Sequence, residues 1–387
     1  MKHLKHCLLF LFGMLMLPAA AFDWGGFLSN DTGIKGQLPS MQAIPSKASQ
    51  SNKLTLWMRV PIPELKNSYF AAETFYSYTY KFGEKEFSHI WDISLFKLSL
   101  AVDNGTTKAT FNMGRFGISD STALICSQPA DGMELVIDAK NFSVKTYAGF
   151  TGFLNLKTAN MTASDPDDEK ALHVYQLAPP AVIASVFLTF PQLFAQQTLS
   201  FEAFATAGAK PAGTFLTAVL NGPIYGPLFY IASTSWHFGA DTSNRAVFSN
   251  LSTLELTAFL PFYSSMLSWK TVFATAQEGS RITKFEHFSL AAANADATVK
   301  YAGNIKSGVT ASIRPVKPLL CTASGDVFFN VMNAGTKGFA GIQWQTSVRW
   351  QIINDLQLSC AAGQFFKSPI QTKGPYTFAN VKVLFNF

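Results

Sequence analysis

Polar and apolar residues alternate along most of this chain with a period of two. In "GIQWQTSVRWQII", Ile342, Trp344, Thr346, Val348, Trp350 and Ile352 share one face, and Gln343, Gln345, Ser347, Arg349 and Gln351 share the other. Side chains on a strand point alternately to its two faces, so the pattern predicts a strand with one apolar and one polar surface. Similar dyads recur in "LTLWMRV" (54–60), "MELVIDA" (133–139), "FSVKTYAG" (142–149), "TLSFEAFA" (198–205), "LSWKTVF" (267–273), "ATVKY" (297–301) and "VTASIR" (309–314). The chain ends on another, "YTFANVKVLFNF", with Thr377, Ala379, Val381, Val383, Phe385 and Phe387 opposite Phe378, Asn380, Lys382, Leu384 and Asn386. Each piece alone fits a soluble sandwich equally well; the accumulation of ~10-residue repeats is what favours a transmembrane barrel.

Turn chemistry agrees with antiparallel neighbours. Asn104-Gly105, Lys140-Asn141 and Asn354-Asp355 leave short links between strand-like runs, and longer polar connections fall near 31–52, 116–131, 155–178, 239–250, 277–283 and 365–375. If the last strand runs toward the periplasm, the three short turns land on that side. The long connections 155–178 and 31–52 then land outside, the asymmetry of outer-membrane barrels. Segments 213–220 and 284–290 are marginal, which places the strand number at about 18, within about 16–20.

The one apolar run that resembles a spanning helix is "LAPPAVIASVFLTFPQLF", Leu177 to Phe194. Pro179, Pro180 and Pro191 confine its regular part to 181–190, a strand's length and well short of the ~20 residues a helix needs. At the start of the chain, Lys2 and Lys5 precede an apolar stretch from Cys7 to Leu17, then Pro18 and the alanines Ala19, Ala20 and Ala21. This reads as a secretory signal peptide (1–21) cleaved after Ala21, leaving residues 22–387 as a single barrel domain.

Composition sharpens the choice. The chain is 48% hydrophobic with 36 Phe, 11 Tyr and 7 Trp, yet only 14% charged, against a usual quarter. Backbone groups in lipid are satisfied only in helices and closed barrels, so an exported chain this apolar without spanning helices points to a barrel. The odd set Cys126, Cys321 and Cys360 left after cleavage argues against a disulfide framework, and no Cys/His metal spacing is present. The net charge of +6 falls by two with the loss of Lys2 and Lys5, too little and too scattered for a nucleic-acid surface.

A charge facing lipid near the bilayer centre costs ~2–4 kcal/mol for Lys or Arg, so the polar faces should look inward. The pore-lining candidates are therefore Arg59, Glu73, Glu134, Asp138, Lys145, Glu202, Glu255, Lys270, Lys300, Arg314, Arg349 and Lys382. Seven basic against five acidic positions suggest at most a weak anion preference. The bland alternative is that opposite charges pair and fill the lumen, although 16 or more strands leave an aqueous channel. Arg115, Asp120 and Asp131 mark a constriction if their connection folds inward, and an ordinary ion pair between Arg115 and Asp120 if it does not. Catalysis finds little support: His237 shares a face with Ser233 and Ser235, but an interfacial histidine beside Trp236 and Phe238 accounts for it better. No catalytic residue, metal or cofactor is expected.

The sequence resembles bacterial outer-membrane porins. Its terminal "VKVLFNF" looks like the aromatic-ended signal read by the barrel assembly machinery, with Phe385 and Phe387 in the signal positions. "FDWGGFLSN" resembles the first strand of such barrels. "NMGRFGISDSTALICSQPADGMEL" (112–135) is similar to a Gly-Arg to Asp-Gly hairpin of the alginate-export and phosphate-selective porin-like families, carried by Gly114, Arg115, Asp120, Asp131 and Gly132. The resemblance implies an all-β, up-and-down antiparallel barrel in the cell outer membrane, passing small hydrophilic solutes by diffusion. Its partners would be outer-membrane lipid, the assembly machinery and two further copies in a candidate homotrimer. The alternative is a closed barrel that acts as an adhesin or ligand-binding protein through its outer connections. A transporter of hydrophobic solutes would need a hatch, and only 32–52 looks spare for one.

Overall fold

The computed structural model describes residues 22–37, 48–83, 85–159, 161, 174–209, 211–240, 245–276, 281–289, 303–332, 338–367 and 376–387. The proposed signal segment 1–21 lies outside them, as do Lys300 and the acidic stretch 165–170. Among the described residues no helix is long and apolar enough to cross a membrane.

Eighteen strands form one sheet, each antiparallel to its sequence neighbours: β1 (Asp23–Gln37), β2 (Ala48–Pro61), β3 (Tyr69–Lys81), β4 (Glu86–Asp103), β5 (Thr107–Ser119), β6 (Ser127–Ala139), β7 (Ser143–Phe150), β8 (Val182–Phe194), β9 (Gln197–Ala207), β10 (Gly213–Tyr225), β11 (Leu228–Ala240), β12 (Ala246–Leu260), β13 (Ser265–Ala274), β14 (Asn304–Val316), β15 (Leu319–Asn330), β16 (Gly338–Ile353), β17 (Leu356–Lys367) and β18 (Tyr376–Asn386). Pairing of β1 with β18 closes the sheet, so no strand is left with an unpaired long edge in lipid. At the seam the last residue is held in both directions: Phe387 N donates to Gly26 O at 3.0 Å and Gly26 N donates to Phe387 O at 2.9 Å. A Cβ on Gly26 would stand 2.6 Å from the Phe387 ring, so glycine is what lets the terminal aromatic lie against β1.

The expected turns sit where the sequence places them. In the β4–β5 turn, Asn104 Oδ1 accepts from Thr107 N at 2.7 Å and Asp103 Oδ1 from Gly105 N at 2.8 Å, while Gly105 takes the left-handed φ of +84°. The links 140–142, 195–196, 226–227, 317–318 and 354–355 are equally short and lie at the same end of the barrel. Connections 120–126, 151–181 and 275–303 lie at the other.

Several boundaries differ from the sequence expectation. Segment 213–220 is a full strand, β10, whereas 284–289 is no strand and belongs to the β13–β14 connection. β8 runs on through Pro191 to Phe194 because the register shifts after Phe190, and a bulge tolerates a residue with no N–H. Within the polar stretches 31–52, 116–131 and 239–250, residues 31–37, 48–52, 116–119, 127–131, 239–240 and 246–250 are strand, since their polar residues serve a wetted interior face, while 120–126 is a connection. Thr32–Gln37 and Ala48–Asn52 pair in β1 and β2, so they are not spare for a hatch.

Candidate functional site: a barrel interior covered on one side

Contacts between distant strands identify the inner face. Ser121 N donates to Glu202 Oε2 on β9 at 2.7 Å, and Phe288 N donates to Ile125 O at 2.8 Å, bonds that span the barrel. Residues alternating with Glu202, carried through the ladder, therefore face inward: Tyr147, Ser185, Phe204, Phe215, Ser235, Leu251 and Val272. The opposite parity carries the exposed apolar chains of the outer band, among them Trp24, Leu56, Val102, Trp344, Trp350 and Phe385.

Two connections fold into this interior. In 120–126, Asp120 Oδ1 accepts from Ile125 N (2.9 Å) and Cys126 N (2.8 Å), and Oδ2 accepts from Thr122 N (2.9 Å), so one carboxylate closes the loop on itself. The segment 281–289 packs against it. Ser127 N donates to Ser289 Oγ at 2.8 Å, and His287 Nδ1 meets Leu124 O. Their aromatic rings continue onto the wall: Phe288 lies 6.3 Å from Phe204, Phe285 lies 6.0 Å from Phe215, and Phe215 stacks on His237 at 4.4 Å. Together with Leu154, Ala159 and Met161 these residues make one buried apolar cluster inside the barrel. Burial pushes the Cys126 thiol well above its usual range, helped by Asp120 and Glu202, and burial lowers His287 despite its bond to Leu124.

Among the described residues the inward connections lie against β7–β13. Interior residues of β7–β13 such as Ile183, Glu202, Phe204, Phe215, Thr217 and Ser235 are almost fully buried. Across the lumen, interior residues of β14–β18 and β1–β2, including Thr322, Ser324, Ser359, Asn380, Asp31 and Lys53, are half-exposed, and Gln345, Arg349 and Lys382 are exposed. That wall is hydroxyl- and amide-rich and carries several cations, Lys53, Arg59, Lys306, Arg314, Arg349 and Lys382 among them; Arg349 and Lys382 both stand opposite Ser359 in the ladder.

Each sequence candidate has a definite place. Arg59, Glu73, Glu134, Asp138, Lys145, Glu202, Glu255, Lys270, Arg314, Arg349 and Lys382 fall on the inward parity of their strands; Lys300 lies outside the described residues. Some are already engaged. Lys270 pairs with Glu255 at 3.4 Å, Arg59 lies 4.0 Å above the Tyr69 ring, Asn112 Nδ2 donates to Glu134 at 2.8 Å, and Glu202 serves the inward loop. Sequence reading missed Asp23, Asp31, Lys53, Lys97, Lys108, Lys306 and Asp326, which share the inward face; Lys306 pairs with Asp326 at 3.2 Å. The dyad rule finds Lys53 and Lys306 once the segments 54–60 and 309–314 are extended toward their N-terminal ends.

Arg115, Asp120 and Asp131 do not act as one group. Asp120 makes the turn described above, while Arg115 binds Asp131 through Nε (2.8 Å) and Nη2 (3.0 Å) and Asp92 through Nη1 (3.2 Å). The Arg115–Asp120 ion pair anticipated as the ordinary reading does not form; Asp92, unremarked in the sequence, takes that role. Gly114 has φ +113°, and a Cβ there would come within 2.1 Å of Phe96 O, so glycine is what allows the close approach of β4 beside Arg115, at the last rung of the β4–β5 ladder. Nor do the serines form a nucleophile with His237. Ser235 accepts from Thr217 at 2.9 Å, Ser233 bonds to Thr253 at 2.7 Å, and His237 Nε2 meets Ala212 O at 3.2 Å.

A closed 18-stranded antiparallel barrel with an apolar outer band, short turns at one end and longer connections at the other has the fold of bacterial outer-membrane porins. No family model and no curated protein matches the sequence. Among solved structures the chain is similar to Acinetobacter baumannii OccAB4, with a TM-score of 0.65 at 7% identity over 95% of this chain and 98% of that one. It is also similar to Pseudomonas aeruginosa OccK5 (OpdH), at 0.59 and 10% over 94% and 98%, and to Pseudomonas aeruginosa OpdK with vanillate, at 0.60 and 10% over the same shares. At these identities the likeness is one of fold.

Proposed function

We propose that this protein is an outer-membrane channel through which small hydrophilic solutes diffuse, along a path displaced toward β14–β18 and β1–β2. The observation that carries the reading is the contrast between the two interior walls: one buried under inward connections, the other polar and accessible. The connections 120–126 and 281–289 form the constriction, with Asp120 as the turn that keeps it folded and Arg115 and Asp131 outside its rim. The neighbours named above are Occ channels rather than alginate-export or phosphate-selective porins, so the reading takes from the hairpin resemblance only the porin fold. Location in the outer membrane and cleavage after Ala21 are parts of the same proposal.

Selectivity follows from which charges stay available. Pairing offsets Lys270 and Lys306, whereas among the described residues Arg349 and Lys382 form no ion pair, although Asp31 stands opposite Lys382 in the ladder. The accessible wall therefore gives a weak preference for anions. Swelling of liposomes carrying the refolded protein in isotonic solutes of graded size tests the reading, with vanillate as one anionic probe. Swelling that falls off with solute size supports it. No swelling above protein-free liposomes refutes it and leaves the closed, surface-binding barrel, which the covered half of the interior favours.

A further inference from the structure

The barrel wall is not continuous at its outer end. β4 and β5 pair over eight residue positions, from Phe96–Arg115 down to Asp103–Lys108. Beyond that level β4 continues to Glu86 bonded only to β3, and β5 continues to Ser119 bonded only to β6. The two strands diverge into a fork.

The β7–β8 connection fills it. Residues 154–156 and 176–178 form a small antiparallel patch, with Leu156 N donating to Gln176 O at 2.6 Å and Ala178 N to Leu154 O at 2.9 Å around the Asn155–Leu177 bridge. The patch satisfies the open edge of β4 residue by residue. Trp91 N donates to Val174 O at 3.4 Å, Asn155 Nδ2 donates to Trp91 O at 3.2 Å, and Arg115 Nη1 donates to Ile93 O at 3.1 Å. Arg115 sits in the crotch of the fork and clasps the patch through Nη2 to Phe153 O at 2.7 Å, while Asp92 and Thr158 meet on its other side. Among the described residues a few bonds seal this seam, where a ladder would supply one for nearly every residue.

Height and lining indicate what could use it. Eight paired positions at ~3.3 Å rise and ~40° tilt put the fork roughly 20 Å above the periplasmic end, near the upper limit of an apolar band ~25 Å tall. There, headgroups and water can bond the edge of β4 when the patch withdraws, which hydrocarbon cannot. Outside the seam stand the exposed Trp91, Phe153 and Leu177; directly behind it lies Leu154, part of the interior apolar cluster with Phe116 and, packed against that cluster, Leu95.

We infer that the β4–β5 fork is a lateral port, latched by Arg115, through which single-chain amphiphiles at the outer-leaflet interface reach the apolar cluster inside the barrel. An amphiphile that enters here leaves through the lumen, so the inference rests on the open channel proposed above, and ion conductance separates failure of the port from failure of the channel.

A reversible lock tests it. In a Cys321→Ser/Cys360→Ser background, Trp91→Cys with Val174→Cys places two thiols at the hydrogen-bonded seam, with disulfide formation read by the loss of free thiol. Vesicles enclosing albumin and carrying the protein receive a fluorescent lysophospholipid in the outer leaflet, and capture by the enclosed albumin is followed in time. The reduced protein should raise capture several-fold above protein-free vesicles, oxidation should return it to the protein-free rate, and reductant should restore it, with ion conductance unchanged throughout. Arg115→Gln, checked for barrel formation by heat-modifiable gel migration, should raise capture further. Equal capture in the oxidised and reduced forms, or no capture above protein-free vesicles, overturns the inference. Conductance lost together with capture also overturns it, because the connection would then belong to the aqueous path.

Discussion

Phe288 is the side chain on which the aperture depends most. It is fully buried, its amide is bonded to Ile125 O, and its ring packs toward Phe204 on β9. Phe288→Ala removes the ring and leaves a cavity between two connections that share no ladder, at a cost of about 3–5 kcal/mol. At ~1.4 kcal/mol per factor of ten, the inward arrangement loses roughly 10²- to 4 × 10³-fold of its advantage over displaced ones. The 18-strand ladder is untouched, so the barrel's resistance to heat in detergent should be that of the parent protein. Single-channel recordings in a planar bilayer provide the assay. The variant should show a larger unit conductance and noisier open states. Parent-like conductance and noise from Phe288→Ala protein shown to be folded would refute the claim that these connections set the aperture.

Three further outcomes are expected. Arg349→Gln with Lys382→Gln should abolish the anion preference in a salt gradient while leaving conductance at high salt nearly unchanged; a reversal potential that does not move would assign selectivity elsewhere. Acidification should loosen the constriction. Burial holds His287 below its ordinary value of about 6.5, with Lys284 acting in the same direction and the bond to Leu124 and the charge of Asp120 opposing it. The inward contact is therefore fully stable above that value and weakens as pH falls through it toward the lower folded value, because displaced states bind the proton first. Open-channel noise should rise in that window, and His287→Gln should flatten the dependence. Deleting Phe387 should reduce the yield of folded barrel, since both backbone bonds to Gly26 are lost, and Gly26→Val should do the same by blocking the ring; normal assembly of either, read by surface protease protection, would count against a role for the terminus.

The strands were legible because a barrel wall imposes its period-two pattern on every residue it includes. Ile342 to Ile352 and Thr377 to Phe387 declare both faces without any tertiary information. Boundaries were less legible. A wetted interior face is polar, so Thr32–Gln37 and Phe116–Ser119 read as loop although each is paired. The inward connections carried no pattern at all: Phe285 and Phe288 look like one more marginal strand, and their burial depends on meeting Phe204 and Phe215 from strands roughly 70–80 residues away. Arg115 stood out as a residue, but its partner Asp92 could not, because the pairing depends on the close approach of β4 that Gly114 allows and on where the β4–β5 ladder stops.

The measurement that reaches the central claim most directly is the single-channel conductance of refolded protein spanning Phe22 to Phe387, recorded in a planar bilayer under a salt gradient. An open lumen along the polar wall predicts discrete, stable current steps and a reversal potential displaced slightly toward that of the anion. Silence from protein shown to be inserted and folded would contradict an open channel, and a potential on the cation side would contradict the assignment of Arg349 and Lys382 as the charges that bias it.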